Sequence, residues 1–324
     1  MFDKEINLVS FPAKNNDKFW DRFVRVGSSH YVIPALYYKL KQRDFLKLLN
    51  DELVSYLEKI YNQNLKRNLN LVKEVNEISN LLKSNNIDHV FLKGAALIST
   101  LYKDSLGIRM VGDIDIFISN DQIFKAEELL KKNSYKNLTK YDGLKGRHLP
   151  RLISNKKVFA VELHDCLVNK DPSLSDYDAL LKRKIIKKVN ILEWRDLLNH
   201  CILNFQINDH GSFRANFSFR TLLDFYIINK FNPKAFNKLQ KSIHIDKFKL
   251  ILNKIQGSNY NCESSLIFFN FRFSLKSYSS LYSYFENILV NMILSIYLNS
   301  RRLIKFVKIK EFRYHVLNKL GLIK

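Results

Sequence analysis

Two aspartates stand two residues apart in the alternating run GDIDIFI, at Asp113 and Asp115. In a β-strand, side chains two residues apart project from the same face, roughly 6.5 Å apart along the chain. Ile114, Ile116 and Ile118 then turn to the other face and hold the strand in a core. Two carboxylates so placed repel each other unless a cation lies between them. A hard divalent ion, Mg²⁺ or Mn²⁺, takes oxygen ligands from a few carboxylates and from substrate phosphates. A third acid, Glu162, lies in VFAVELH, a second apolar run of strand formers. There it can complete a metal site or take a proton from an attacking hydroxyl. Alternation puts His164 on the same face as Glu162, suited to steering the carboxylate or a substrate group, and Asp165 is the alternative third carboxylate.

Upstream, Lys93-Gly94 follows a short apolar run and precedes a helical stretch. Without a Cβ, Gly94 lets a phosphate approach the backbone, and the N–H groups of Ala95 and Ala96 open a helix whose positive end favours anions. Lys93 and Arg109 are cations suited to triphosphate charge, and Arg109 is also placed to pair with Asp113. Either motif alone is a weak signal. Their order, a phosphate turn, an acid pair and a downstream acid, describes a site that moves a nucleotidyl group while pyrophosphate leaves. His200, His210 and Asp209 lie among helical residues with no metal-ligand spacing and read as structural.

These residues need strands to aim them and helices to hold the strands. His89–Leu92, Asp113–Ile118 and Val158–His164 are the strand candidates, with Ala95–Tyr102 and Ile123–Lys132 as helices, the second started by capping oxygens of Ser119-Asn120-Asp121. Asp104 to Gly107 reads as a turn. Before them, Asn64 to Lys83 carries apolar residues on one face and predicts a long amphipathic helix ending near Asn85-Asn86. From about Asp176 the pattern is helical again. The fold class is therefore α+β, a small mixed sheet with helical flanks. Its parts are a helical region (1–85), an α/β core (86–185) and a helical, basic region (186–324).

The chain has 324 residues, a net charge of +22, nine glycines and five prolines. Few turn formers disfavour an all-β design, and the charge attracts polyanions. Cys166, Cys201 and Cys262 are odd in number and widely spaced, which suggests neither a zinc site nor a disulfide framework and fits a reducing cytoplasm. The first residues lack the features of a signal peptide. The apolar stretch Phe285–Leu298 contains Glu286, Asn287 and Asn291 and falls short of the ~20 residues a bilayer span needs, so no transmembrane segment is expected. The basic run from Arg301 to Lys310 suits contact with a polyanion or the periphery of a membrane.

The stretches LKGAALISTLYKD and GIRMVGDIDIFI, followed by RHLPRL and VELHD, resemble the signature of an uncharacterised bacterial nucleotidyltransferase family within the DNA polymerase beta-like nucleotidyltransferase superfamily. IPALYYKL, DLLNH and RTLLDFY extend the likeness over roughly residues 20 to 230. The resemblance implies a small mixed sheet and a Mg²⁺-dependent site of the EC 2.7.7 type. Asp113, Asp115 and Glu162 would bind the metal, and Lys93, Gly94, Ala95, Arg109 and His164 would bind an NTP such as ATP. Two positions depart from the pattern. Gly94-Ala95 replaces the usual Gly-Gly or Gly-Ser, and Asp165 stands where an aromatic is common. The likeness of members to proteins of surface-polysaccharide loci points to a sugar or lipid-linked acceptor. Two other readings use the same fold: a non-catalytic binder of RNA, anionic lipid or glycan, and a toxin-like enzyme that modifies tRNA or protein.

Overall fold

The computed structural model describes residues 16–102, 105–138, 148–168, 180–257 and 263–322. The first residues, Asp104, Asp176 and Cys262, on which expectations were placed above, lie outside the described residues.

The first described elements are α1 (Asp17–Ser29) and α2 (Ile33–Gln42), with Pro34 in the first turn of α2, where its missing N–H is harmless. Helix α3 runs without a break over Asp51–Ser84, longer than the amphipathic pattern predicts. Asn50 caps it by accepting from the Leu53 amide at 2.7 Å, and Asp51 and Glu52 suit the positive end. It ends at Asn85 and Asn86, the latter in the left-handed region (φ 54°) that asparagine tolerates. Leu57, Leu71 and Leu82 are fully buried along it, each worth about 1.5–3 kcal/mol in area removed from water.

The sheet follows. Strand β1 (His89–Phe91) leads into α4 (Lys93–Thr100), then β2 (Asp113–Ile118), α5 (Ile123–Lys132), β3 (Lys136–Asn137), β4 (Leu152–Ile153) and β5 (Ala160–His164). A hairpin, β6 (Lys184–Ile186) and β7 (Val189–Ile191), completes the sheet, which among the described residues has seven strands in the order β3-β4-β5-β2-β1-β7-β6. The pairing is mixed: β2 runs parallel to β5 and antiparallel to β1, and β1 runs parallel to β7. This is the expected α+β class. The hairpin corrects the helical reading from Asp176. Its turn residues, Lys187 and Lys188, both have positive φ (49° and 68°), a hairpin geometry that Asn-Gly or Gly-Gly normally signals. The expected caps of α5 are corrected too: Gln122 is its N-cap, without a side-chain cap bond.

Helices α6 (Trp194–Leu203), α7 (Phe219–Phe231), α8 (Lys234–Asn237) and α9 (Ile243–Gln256) carry one continuous core with α3, α4 and the sheet. Phe91, Ile114, Ile116, Phe117 and Leu197 lie at its centre. Helices α10 (Ile267–Tyr278), α11 (Ser280–Lys308) and α12 (Lys310–Lys319) end the chain. The expectation that the late apolar stretch is too short to span is corrected. α11 continues past Leu298 to Lys308 and, by length and composition alone, is long and apolar enough to cross a membrane.

Candidate active site

The parallel register of β2 and β5 pairs Asp115 with Glu162 and Phe117 with His164. The acid pair and the downstream acid therefore share one sheet face on adjacent strands. Asp115, Glu162 and His164 are buried and offer ligand atoms that all lie within 4.8 Å of one another. Asp113, one strand step earlier on the same face, is partly exposed. Asp165 follows the last residue of β5 and has no place in this register.

Each carboxylate has a cation. Lys93 Nζ lies 2.5 Å from Asp115 Oδ1, and His164 Nε2 lies 2.8 Å from the same oxygen and 3.6 Å from Glu162 Oε2. Arg151 donates through Nε to Glu162 Oε1 at 2.8 Å and through Nη2 to Asp113 Oδ2 at 3.1 Å. These partners set the charges. Burial raises the Asp115 carboxyl, but Lys93 and His164 outweigh it and hold the group well below the usual range. Burial also opposes ionisation of Glu162, yet the His164 hydrogen bond and Arg151 bring it down to about 2 against the repulsion of Asp115. Asp113 goes the other way, raised by burial and then by Asp115 and Glu162, beyond what Lys93 and Arg151 offset. Asp113 is thus the acid whose charge most lacks compensation.

Helix α4 begins at Lys93, two residues earlier than its sequence suggests, with Leu92 as N-cap. The Ala96 amide is spent on Leu92 O at 3.2 Å. The amides of Gly94 and Ala95, in the first turn, have no intrahelical acceptor and are the ones suited to an anion. Lys93 itself sits at φ 48°, a conformation that costs a non-glycine residue about 1–2 kcal/mol and that accompanies its contact with Asp115.

Arg109 does not pair with Asp113. Its guanidinium is buried and forms two hydrogen bonds to Asp224 of α7, Nε to Oδ1 at 2.6 Å and Nη2 to Oδ2 at 2.7 Å. Nη1 donates to Met110 O at 3.1 Å and lies over Gly94, where a Cβ would run into it and would come within 2.8 Å of Val111 Cγ2. The glycine is needed for this close approach whatever it does for phosphate. The loop that delivers Arg109 is tied to α3: Asn64 Nδ2 donates to Gly107 O (2.7 Å) and Arg109 O (3.0 Å), and Asn68 Nδ2 to Arg109 O (2.8 Å).

A pocket of about 150 Å³ opens here, with Lys93, Gly94, Gly112, Asp113 and Asp115 on the sheet side and Asn204, Asp209, Arg220 and Thr221 on the helical side. Its lining is mostly polar. Arg220 stacks on Tyr31, 5.0 Å from the ring centre, and burial, then Arg109, pull its pKa down. A larger cavity of about 380 Å³ between α1, α2 and α7 is lined by apolar side chains such as Phe19, Phe23 and Leu222 and shares no residue with the acids. The polar pocket is where charge and geometry converge.

Arg151, Asp224 and Arg220 were given no role by sequence reasoning, and Asp209 was set aside as structural. Arg151 lies in RHLPRL, and Arg220 and Asp224 both lie in RTLLDFY. The signal was present in the resemblance. No local spacing says that these stretches meet the acid pair.

Residues 16–244 match the protein family described as uncharacterised nucleotidyltransferase, a range that contains every motif on which the resemblance rests. A search of curated proteins returned no match. Among solved structures, that of the antibiotic-resistance factor ANT(2'')-Ia aligns with 57% of this chain and 95% of its own, at 7% identity and a TM-score of 0.38.

Proposed function

This chain belongs to the family of uncharacterised nucleotidyltransferases, and on that footing we propose that it moves an NMP group from an NTP to a hydroxyl or phosphate acceptor with Mg²⁺ or Mn²⁺. The observation that carries this reading is the register of β2 and β5. It sets Asp113, Asp115 and Glu162 together beside the polar pocket at the first turn of α4. The residues fit a divalent ion. Asp115 and Glu162 offer hard oxygen donors close together with His164 beside them, and Asp113, on the same sheet face, is left short of positive charge. When bound by Asp113, Asp115 and Glu162, the ion supplies charge neutralisation on the triphosphate and activation of the attacking oxygen.

The chain's own residues do the rest. Lys93 and the amides of Gly94 and Ala95 take phosphate oxygens. His164, fully buried, fixes the Asp115 carboxylate. Arg109, its charge committed to Asp224, braces the loop against Gly94 rather than serving as a free cation. The acceptor oxygen forms its bond to the α-phosphorus and the bond to pyrophosphate breaks. Pyrophosphate leaves, and the acceptor's proton passes to the acidic cluster. The likeness to proteins of surface-polysaccharide loci directs the acceptor search to sugars and lipid-linked hydroxyls.

The test is turnover of each labelled NTP with Mg²⁺ and cell extract, followed by identification of the labelled product. The Asp113→Asn, Asp115→Asn double variant should fall to background while keeping the wild-type melting temperature. Turnover at the wild-type rate in that variant would overturn the assignment.

A further inference from the structure

Helix α11 buries almost none of itself. The stripe Glu286, Val290 and Leu294 faces the body of the protein. Glu286 is anchored there by Arg272 Nε at 2.8 Å and Lys276 Nζ at 2.7 Å, both from α10. A different stripe, Phe285, Met292, Ile296, Leu303 and Val307, is exposed along nearly the whole helix, from 57% at Met292 to 67% at Ile296. Spacings of seven and four residues keep these side chains on one side of a helix. Phe268 and Phe271 of α10 are exposed as well. So long an exposed apolar stripe on a folded chain marks a docking site.

Charge identifies the occupant. No charged residue occurs from Asn287 to Ser300, and Lys and Arg then number seven against one Glu between Arg301 and Lys319. Arg302, Lys305 and Lys308 follow at intervals of three, off the apolar stripe. A long helix with an apolar stripe along it and basic residues off that stripe at its C-terminal end matches the boundary between acyl chains and anionic headgroups. A second copy of the chain would bring like charges together. RNA would be met by the basic residues but would leave the apolar stripe in water. A helix crossing the bilayer would have to tear the buried Glu286 from its two partly buried cations.

We propose that α11 lies flat on an anionic membrane, its apolar stripe inserted at the interface and its basic side, continued by α12, on the headgroups. The surface docks the whole chain and is independent of the nucleotidyl-transfer reading.

The full-length protein is sedimented with phosphatidylcholine vesicles, with and without phosphatidylglycerol. It should pellet with the anionic vesicles only, and high salt or alkaline carbonate should release it. Arg302→Glu with Lys305→Glu, and separately Met292→Asp with Ile296→Asp, should each weaken binding at least ~tenfold without lowering the melting temperature. The Asp113→Asn, Asp115→Asn variant should bind vesicles as the wild type does. Three results would overturn the proposal: equal binding to neutral vesicles, retention through the carbonate wash, and no vesicle binding at all, whether or not the chain then self-associates or binds RNA. The lipid and salt dependence of the wild type stands as a test even if a variant fails to fold.

Discussion

Arg109 and Asp224 stand 115 positions apart in sequence and meet side by side through hydrogen bonds of 2.6 and 2.7 Å, both side chains buried. Tyr102 adds its hydroxyl to Asp224 at 3.4 Å. The pair joins the loop that precedes β2 to α7 and so fixes one wall of the pocket to the other. Arg109 keeps its charge because Asp224 outweighs the burial that opposes it. Asp224→Asn keeps the shape and strands a buried guanidinium, so unfolding in urea should show a loss of about 3–5 kcal/mol. Arg109→Met combined with Asp224→Leu removes both charges and should recover most of it. A loss below about 1 kcal/mol in the single variant would mean that the pair is not what holds the walls together.

The same pair shows what the sequence could and could not reveal. The shared face of Asp113, Asp115 and Glu162 was legible because strand alternation is local, and two strands with acids on one face need only lie side by side to bring them together. The α+β class was legible from the change of period around His89. What sets the charges at the site was not. Arg151 reaches Asp113 across 38 positions, and Asp224 reaches Arg109 across 115. Nothing in local periodicity distinguishes either from a surface charge. The β6–β7 hairpin was missed because Lys187-Lys188 is not a turn signal, and the start of α4 because Lys93 adopts a conformation its side chain disfavours.

Arg151 bridges Asp113 and Glu162 where a divalent ion would draw on the same oxygens. It would compete with that ion, so Arg151→Ala should raise Mn²⁺ affinity in the absence of nucleotide, on the order of tenfold, or ~1.4 kcal/mol. Calorimetric titration near neutral pH reads this directly. Losing the guanidinium takes a positive charge away from these oxygens and leaves the site more negative for the metal. Unchanged or weaker Mn²⁺ binding would show that Arg151 supports the metal site instead of occupying it.

His89 gives the fold a pH dependence separate from the candidate active site. Its ring is fully buried in β1, with Nδ1 donating to Ile87 O at 3.0 Å and Nε2 at 3.4 Å from Ser79 Oγ. Burial, joined by the nearby cations Lys83 and Arg183, pushes its pKa from the ordinary 6.5 down to about 4, against the pull of the Ile87 carbonyl and Asp88. As pH falls below 6.5 the unfolded chain takes a proton here that the folded chain refuses until about 4. Stability from this group is therefore complete above 6.5 and is lost as pH drops through that window, by on the order of 3 kcal/mol in total. Carboxylates titrate in the lower part of the same range, so the informative quantity is the difference between wild type and His89→Asn in urea unfolding at a series of pH values. The variant should be less stable near neutrality, since it loses a packed ring, and its stability should fall less steeply with acid. Parallel profiles for the two proteins would mean that His89 takes up its proton in the folded chain as readily as in the unfolded one.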